Sequence, residues 1–253
     1  MKISIITVTY NSSETIADCI KSVYNQTYSD IEHIIIDGNS KDNTLKIINS
    51  IPNRISKIIS EPDLGIYDAM NKGLKLATGE VVGILNSDDF FYDYSIIAKI
   101  VNTFSLKNCD CLFGDIVYVN RKDTAKIIRY WKSSVMPKHG FSYGWHPAHP
   151  SFYVKKEIYQ EYGYFKIKYQ FSADFELMLR LLHKNLISYS YLAIPMVRMR
   201  LGGKTSKNLN NVYLGNKECV HAFKDNNIKI SILYLFFRFL MKIKQFRNHP
   251  KDL

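Results

Sequence analysis

The sequence predicts an α/β fold with a mostly parallel central sheet covered by helices. Apolar, β-branched runs alternate with amphipathic segments over the first 120 residues, which is typical of right-handed βαβ units. Hydrophobic residues make up 46% of the 253-residue chain, enough for a sizeable core. Polar residues, several of them acidic, follow the apolar runs at the point where each run ends. These three observations together predict a doubly covered sheet with a polar carboxyl edge.

The first 120 residues predict five strands and four helices in alternation. The strands are 3–10, 31–37, 54–60, 80–85 and 110–119, and the helices are 13–27, 40–50, 66–77 and 93–104. Residues 13–27 carry apolar side chains at helical spacing. Ser40 is placed to cap the second helix, and Thr78-Gly79 forms an ordinary stop for the third.

The pattern changes after about residue 120. Residues 138–154 are rich in Gly, Pro, His and aromatic side chains, which predicts an irregular but buried segment. A helix is predicted over 172–185, strands over 187–200, a loop over 201–208, and helices over 207–226 and 228–247. The last two helices combine bulky apolar and basic residues. They either pack on the core with a solvated basic face or rest on an anionic membrane.

The charge, the cysteine content and the length of the apolar runs limit the classes of function that the chain can have. The net charge of +11 suits acidic partners such as phosphorylated molecules or anionic lipid, but no dense basic stripe predicts nucleic-acid binding. Four cysteines without paired CxxC spacing favour a reduced, cytoplasmic protein. The first residues, MKISIITVTYN, do not predict a signal peptide. The longest apolar run, 230–241, is shorter than the ~18 residues that span a bilayer.

Ligands of such folds bind beyond the carboxyl ends of the parallel strands. After the first four predicted strands come Thr9–Asn11, Asp37–Asn39, Glu61–Asp63 and Asn86–Asp89. Alone, Asp37 before Gly38 is a common turn residue. Because acids also follow two further strands, we favour a carboxylate that accepts a hydrogen bond from a base edge, such as the N–H of uracil.

The adjacent acids Asp88 and Asp89 predict a cation site. Neighbouring carboxylates repel each other and stay ionised only near a cation or donors. Asp93 and Ser95 can cap the helix that follows, so the pair is not needed there. Mg²⁺ or Mn²⁺ bridging a substrate diphosphate fits, since such ions take one or two carboxylates plus phosphate oxygens. The ion would stabilise a departing diphosphate as a Lewis acid.

Asp174 is the third candidate. It precedes the apolar Leu177 and Met178 by three and four positions, which predicts that it faces inward, where it suits a general base. Glu176 and Arg180 have the spacing of an ion pair on the outer face. In WHPAHPSF, His149 is either a contact to acceptor or phosphate or a packed loop histidine.

Neither a G-x-G-x-x-G fingerprint nor a P-loop is present. Seven stretches carry a resemblance instead: ITVTYN (6–11), IIIDGNSKDNT (34–44), SEPDLGIYDAMNKGLKLATGE (60–80), ILNSDDFF (84–91), HPSFYV (149–154), FSADFELMLRL (171–181) and LGGKTS (201–206). With these, the chain resembles family 2 glycosyltransferases, and most of all bacterial enzymes that build O-antigen, capsule or exopolysaccharide. The resemblance implies the GT-A fold, with a Rossmann-like sheet and a C-terminal helical extension.

The resemblance also implies residue roles. Nucleotide-binding roles fall on Thr9, Tyr10, Asn11, Asp37, Asp63, Asn86 and Ser87; the metal role on Asp88; the catalytic base on Asp174; acceptor or diphosphate contacts on His149, Gly202 and Gly203. Asn86 stands where the family often has the first Asp of its D-x-D motif. The cofactor implied is a divalent cation, Mg²⁺ or Mn²⁺.

The implied activity is inverting transfer of a sugar from a nucleotide-diphospho-sugar to a hydroxyl group. A UDP-hexose or UDP-N-acetylhexosamine donor and a polyprenyl-diphosphate-linked glycan acceptor are expected, at the inner face of the bacterial inner membrane. We expect a catalytic domain over 1–206, with a nucleotide-sugar half (1–120) and an acceptor half (121–206), and an extension over 207–253.

Two alternatives stay open at this point. The Asn86 departure fits a degenerate, non-catalytic nucleotide-sugar-binding module. A nucleotidyltransferase would share the sheet and the metal, but it would need a Gly- and Lys-rich N-terminal loop that TVTYNSSE does not provide.

Overall fold

The computed structural model describes residues 1–203 and 208–247. The strands are β1 (Ile3–Thr9), β2 (Ile31–Asp37), β3 (Ile55–Ser60), β4 (Val81–Ile84), β5 (Phe90–Phe91), β6 (Cys111–Val119), β7 (Ile127–Trp131), β8 (Tyr153–Lys155) and β9 (Tyr189–Arg200). The helices are α1 (Ile16–Tyr24), α2 (Thr44–Ser50), α3 (Ile66–Leu76), α4 (Ile96–Lys107), α5 (Lys156–Tyr162), α6 (Ala173–Met178), α7 (Leu209–Asp225) and α8 (Tyr234–Arg247). A wider π-type segment, Leu179–Lys184, continues α6.

The nine strands described form one mixed sheet. Eight follow the order β3-β2-β1-β4-β8-β6-β9-β5, and the ninth, β7, pairs with β6 outside this path. The first four are parallel neighbours, and β8 joins β4 to β6 with antiparallel pairing to both. β9 runs parallel to β6, and β7 covers the C-terminal half of β6. The predicted mostly parallel α/β sheet is therefore confirmed for its nucleotide half.

Helices bury both faces of this sheet. Ile6 and Ile34 belong to one apolar cluster with α3, while Ile3 and Ile5 belong to the other with α4. Gly73 allows α3 to approach β1 closely, since a Cβ there would lie 2.4 Å from Ile6 Cγ2. This alternation fixes the register of β1, because a slip by one residue would exchange its two faces.

The irregular segment 138–154 is buried, as its aromatic content predicted. Phe141 and Trp145 are 0% and 5% exposed and stack edge to face. Phe141 also packs on Phe175 at the start of α6. The segment therefore supports the helix that carries Asp174.

Two local predictions were wrong. Ser40 does not cap the second helix, which begins at Thr44; Asp42 instead accepts hydrogen bonds from the backbone and hydroxyl of Thr44. Glu176 and Arg180 do pair, but not on the outside: their exposed fractions are 0% and 7%. The outward prediction failed because residues 162–166 and the C-terminal end of α7 cover that face of α6, and periodicity within one helix does not reveal neighbouring segments.

The C-terminal helices pack on the same core. Cys219 and Phe223 of α7 and Tyr234 of α8 are buried in the cluster that includes α3 and α6. No helix in the described ranges is both long and apolar enough to cross a membrane. The boundary proposed at residue 206 falls within 204–207, outside the described residues, and stays a prediction.

Candidate active site

A cleft of about 850 Å³ opens at the carboxyl edge of the sheet. The loops after β1 and β4 line one wall, and the turn at His149 and the start of α6 line what we call the floor. The remaining lining comes from β7, the end of β9 and α8. Candidate residues that line it are Tyr10, Asn11, Asn86, Ser87, Asp88, His149, Asp174, Gly202 and Gly203. Residues predicted from strand ends far apart in the chain thus meet in one place.

The loop after β1 is held against the loop after β2. Asn11 has a left-handed backbone (φ 50°), which Asn tolerates better than most residues. Its N–H donates to Ser40 Oγ, and its side-chain oxygen accepts from the Lys41 N–H, both at 2.8 Å. Tyr10 is left 62% exposed on the cleft wall. An open aromatic ring on a fixed loop can stack on a planar base.

Asp37, Thr9 and Asp63 lie beside this wall and do not line the cleft. Asp37 is 0% exposed and accepts hydrogen bonds from Ser40 and Ser60. A Cβ at Gly38 would lie 2.6 Å from Asp63 Oδ2 and 3.4 Å from the Tyr10 ring. Their predicted nucleotide contacts therefore stay predictions, and for Asp37 the contact would require its hydroxyl partners to yield.

The turn after β4 presents Asp88 to the cleft. Asp89 N–H donates to Asn86 C=O at 3.0 Å, which closes the turn. Ser87 Oγ lies 2.8 Å from Ser12 Oγ and ties this turn to the β1 loop. The Asn86 side-chain oxygen is buried without a hydrogen-bond partner within the described residues. A bound cation or hydrogen-bond donor would satisfy this unpaired acceptor, which lies beside a carboxylate.

Asp88 and Asp89 have different surroundings. Asp89 is 0% exposed, and burial, followed by the nearby Asp88 charge, raises its pKa well above the ordinary value. Its Oδ1 accepts from the Arg200 N–H at 3.3 Å. Arg200 also donates to Asp88 C=O at 2.7 Å and pairs with Asp18 of α1. Asp89 and Arg200 thus hold the turn, while Asp88 alone offers a carboxylate to the cleft.

The described residues contain no group of three or more His, Cys, Asp or Glu side chains that could hold a metal ion. One carboxylate with a neighbouring amide oxygen, those of Asp88 and Asn86, fits Mg²⁺ or Mn²⁺ only when phosphate oxygens and water complete the coordination. The predicted divalent cation therefore stays a prediction at this point.

Asp174 lies at the floor, at the first turn of α6. Tyr67 of α3 donates from its hydroxyl to Asp174 Oδ1 at 3.1 Å. His149 Nδ1 lies 3.1 Å from Asp174 Oδ2. The Asp174 side chain stays 23% exposed toward the cleft, which confirms that it faces inward. His149 therefore lines the cleft and contacts Asp174, while its predicted contact to acceptor or phosphate stays a prediction.

Gly202 and Gly203 close the cleft after β9. Gly202 has φ 96°, a conformation that favours glycine, and a Cβ at either glycine would meet nothing within 4 Å. The remainder of the predicted LGGKTS loop, 204–206, lies outside the described residues.

Several lining residues were missed from the sequence. Tyr67 stands within the quoted stretch SEPDLGIYDAMNKGLKLATGE, so its position carried a signal although no role was assigned to it. Ser12, one residue after the TYN run, and Arg200, immediately before the LGG run, were equally close to recognised residues. Arg129 and Arg238 do not lie next to a recognised stretch of the sequence. The packing of α8 on β7 brings them to the cleft.

The model of the family "Glycosyl transferase family 2" matches residues 4–169, two thirds of the chain. The chain belongs to this family. A glycosyltransferase of Mycobacterium bovis (strain BCG / Pasteur 1173P2), named for PGL/p-HBAD biosynthesis, is 28% identical over 181 residues, or 70% of this chain and 68% of that protein. An uncharacterized glycosyltransferase of Nostoc sp. is 39% identical over 108 residues, 41% of this chain and 33% of that protein. The protein is therefore a glycosyltransferase.

Solved structures show the same fold. S. aureus TarS in complex with UDP-GlcNAc matches with a TM-score of 0.69 at 18% identity, over 96% of this chain and 74% of that one. The mannosyltransferase PcManGT from Pyrobaculum calidifontis, in complex with GDP-Man and Mn²⁺, matches with a TM-score of 0.56 at 19% identity, over 77% and 55%. The expected GT-A fold is confirmed.

Proposed function

We propose that this glycosyltransferase moves a hexose or N-acetylhexosamine from a UDP-sugar to a hydroxyl group of a lipid-linked glycan, with inversion at the anomeric carbon. The observation that carries the proposal is the cleft itself: Asp88 and Asp174 face one space, on opposite sides of which a diphosphate and an acceptor can sit. UDP and UDP-GlcNAc are bound by the structural neighbour TarS, which supports UDP as the nucleotide.

The roles of the chain's residues follow from their positions. Tyr10 and Asn11 would hold the nucleotide, with Asp37 and Asp63 behind them. Asp88 and Asn86 would hold Mg²⁺ or Mn²⁺, which supplies Lewis-acid stabilisation of the leaving diphosphate. Asp174 would take the proton of the acceptor hydroxyl as that oxygen attacks the anomeric carbon, while His149 and Tyr67 keep its carboxylate in position.

Inversion is supported by the carboxylates that line the cleft. Within the described residues these are Glu14, Asp88 and Asp174. A retaining route through a covalent intermediate needs a nucleophilic carboxylate beside the base, by analogy with glycoside hydrolysis. Asp88 is assigned to the cation, and Glu14, 82% exposed, pairs with Arg121 at the rim. A single displacement is the route that remains for Asp174.

A lipid-linked acceptor at the inner face of the bacterial inner membrane is supported by α8. Its outer face is apolar and exposed: Leu235, Phe236, Phe239, Leu240, Ile243 and Phe246. Its inner face lines the cleft. Together with the net charge of +11, this favours an anionic membrane as the surface on which α8 rests. Polysaccharide biosynthesis for the cell surface is the corresponding process.

The donor is tested by thermal shift with UDP-glucose, UDP-galactose, UDP-N-acetylhexosamines and GDP-mannose, each with and without Mn²⁺. A bound donor raises the apparent stability. We expect a metal-dependent shift with one UDP-sugar, followed by metal-dependent UDP release. The Asp88→Ala variant should lose the metal-dependent part of the shift, whereas Asp30→Ala, at an exposed site far from the cleft, should keep it. Metal-independent binding in both variants would refute the role of Asp88.

A further inference from the structure

The wall formed by β7 and α8 holds half of the cationic side chains that line the cleft and none of its carboxylates, within the described residues. Six cationic side chains line the described cleft against three carboxylates. Three of the six, Arg129, Arg238 and Lys242, are supplied by β7 and α8. Within the described residues none of these three forms an ion pair with a carboxylate. We name them the α8 cation cluster.

The two arginines are packed but only partly hydrogen-bonded. The Arg129 guanidinium lies 3.7 Å from the Tyr118 ring centroid and 5.4 Å from that of Phe246, and Arg238 donates from Nη1 to the Tyr234 hydroxyl at 3.0 Å. The Nε atoms of both arginines are buried without a hydrogen-bond partner in the described part of the chain. A buried unpaired donor is unfavourable, so a ligand with acceptor oxygens at this wall would be stabilised by these two groups.

Lys242 lies one helical turn after Arg238 on the same face of α8. Desolvation, followed by the charges of Arg238 and Arg129, lowers the pKa of Lys242. The three positive charges therefore act on one another. Because Lys242 is an exposed residue, water reduces this repulsion, and an anion bound among the three would reduce it further.

Arg238 places one end of the cluster beside Asp174. It is 5.3 Å from the ring of Phe175, the residue after the proposed base, and Asp174 is among the charges that act on it. The Asp88 turn, where a donor diphosphate would sit, is held by other residues, Ser12 and Arg200. A second anion site beside Asp174 would keep the phosphates of the acceptor apart from those of the donor.

We propose that Arg129, Arg238 and Lys242 form a second anion subsite that binds a phosphate or diphosphate group of the acceptor. The inference rests on the proposed transfer reaction and adds to it a recognition element for phosphorylated acceptors. The phosphate could belong to a lipid carrier or to a soluble phosphorylated glycan; both present the same oxygen acceptors to the guanidinium groups.

The probe is inorganic pyrophosphate, titrated by calorimetry into the full chain already saturated with UDP and Mg²⁺. We expect saturable binding that leaves UDP in place. The Lys242→Gln and Arg129→Gln variants should weaken it roughly 10- to 100-fold, the range for losing a hydrogen bond to a charged group. Lys224→Gln removes an equal charge from the exposed side of α7 and should bind pyrophosphate as the wild type does.

The titrations distinguish a failure of the second anion subsite from a failure of the proposed function. Unchanged affinity in both variants, or pyrophosphate that displaces UDP, would overturn the second subsite. The preceding UDP titration tests the proposed function on its own, so the two can fail independently. Farnesyl diphosphate in place of pyrophosphate identifies the source: tighter binding indicates a lipid-linked acceptor, and equal binding a soluble phosphorylated one. Thermal unfolding of each variant confirms that it is folded.

Discussion

Asp174 and Glu176 lie two residues apart on α6, yet they face two different regions of the molecule. Glu176 points toward α7 and is fully buried; it pairs with Arg180 at 3.1 Å and Lys166 at 2.7 Å and accepts from Asn226 at 3.0 Å. Burial alone would raise its pKa, but the hydrogen bonds and charges of these partners outweigh burial and lower it. Asp174 points into the cleft, where its partners within residues 1–203 and 208–247 are Tyr67 and His149.

The contrast shows how a structural carboxylate differs from one left available. A buried charge is stable when every lone pair has a partner, and around Glu176 that condition is met. Among the described residues of the cleft it is not met for the Asn86 oxygen or for the Nε atoms of Arg129 and Arg238. Polar groups that the fold holds in place without a hydrogen-bond or ion-pair partner are groups that a ligand can bind.

The largest effect is expected at the open carboxylate. Asp174→Asn keeps the shape and the Tyr67 contact but cannot accept a proton, so turnover should fall by roughly 10²- to 10⁴-fold. UDP release by the purified variant gives the rate, and calorimetry with UDP and Mn²⁺ should show unchanged nucleotide affinity. Asp30→Asn, an exposed site, is the matched control. Wild-type turnover by Asp174→Asn would remove its assignment as the base.

Glu176→Ala should act on stability instead. Removing one partner of a buried pair leaves Arg180 and Lys166 uncompensated and costs about 3–5 kcal/mol. Urea unfolding measures the loss, and Glu157→Ala, whose exposed pair with Lys155 spans 3.8 Å, should change stability by about 0–1 kcal/mol. Below its unfolding transition, Glu176→Ala should still turn over. A loss of activity without a loss of stability would place Glu176 in the site.

The sequence predicted the orientation of Asp174 correctly and that of Glu176 wrongly. The inward side of α6 could be predicted because Leu177 and Met178 mark it. Its other side could not, because α7 lies more than thirty residues further along the chain and leaves no trace in local periodicity. The position of Arg238 could not be predicted for the same reason. In the sequence, a cation among apolar residues is typical of a solvated side chain, and its place in the cleft depends on how α8 packs against β7. Residues after β1 and β4 could be predicted to lie at one edge because parallel strands end together, whereas the sequence did not show that Thr9, Asp37 and Asp63 would lie outside the cleft lining.

Glu32, at the amino edge of the sheet, extends the comparison to a second satisfied carboxylate. It accepts from Ser4 and from the backbone and hydroxyl of Thr78. Burial alone would raise its pKa, but these hydrogen bonds lower it from 4.5 to about 2. Because the folded-state pKa lies below the unfolded value, the stabilisation is present above pH 4.5 and is lost as the pH falls toward 2.

Glu32→Gln should therefore destabilise the protein by about 1–3 kcal/mol at neutral pH and flatten the acid limb between these two values. Urea unfolding at several pH values measures both effects. Glu80→Gln, 66% exposed at the same edge, should leave the acid limb unchanged. If Glu32→Gln lowers the free energy of unfolding by the same amount at every pH, the loss comes from altered packing and not from the Glu32 charge.

The smallest effect is expected at Asn86, where the open region itself can be altered. Asn86→Asp adds a second carboxylate beside Asp88, at a position whose oxygen has no partner within the described residues. Without metal, the added negative charge should repel the UDP diphosphate and weaken binding a few-fold; with Mg²⁺, the extra ligand should offset this loss. The measurable result is a larger ratio of UDP affinity with and without metal than in the wild type. Asn71→Asp, whose side chain bonds the Phe165 backbone away from the cleft, should leave the ratio unchanged. If Asn86→Asp also leaves it unchanged, the cation does not approach this turn, and Asp88 would be a contact of the nucleotide alone.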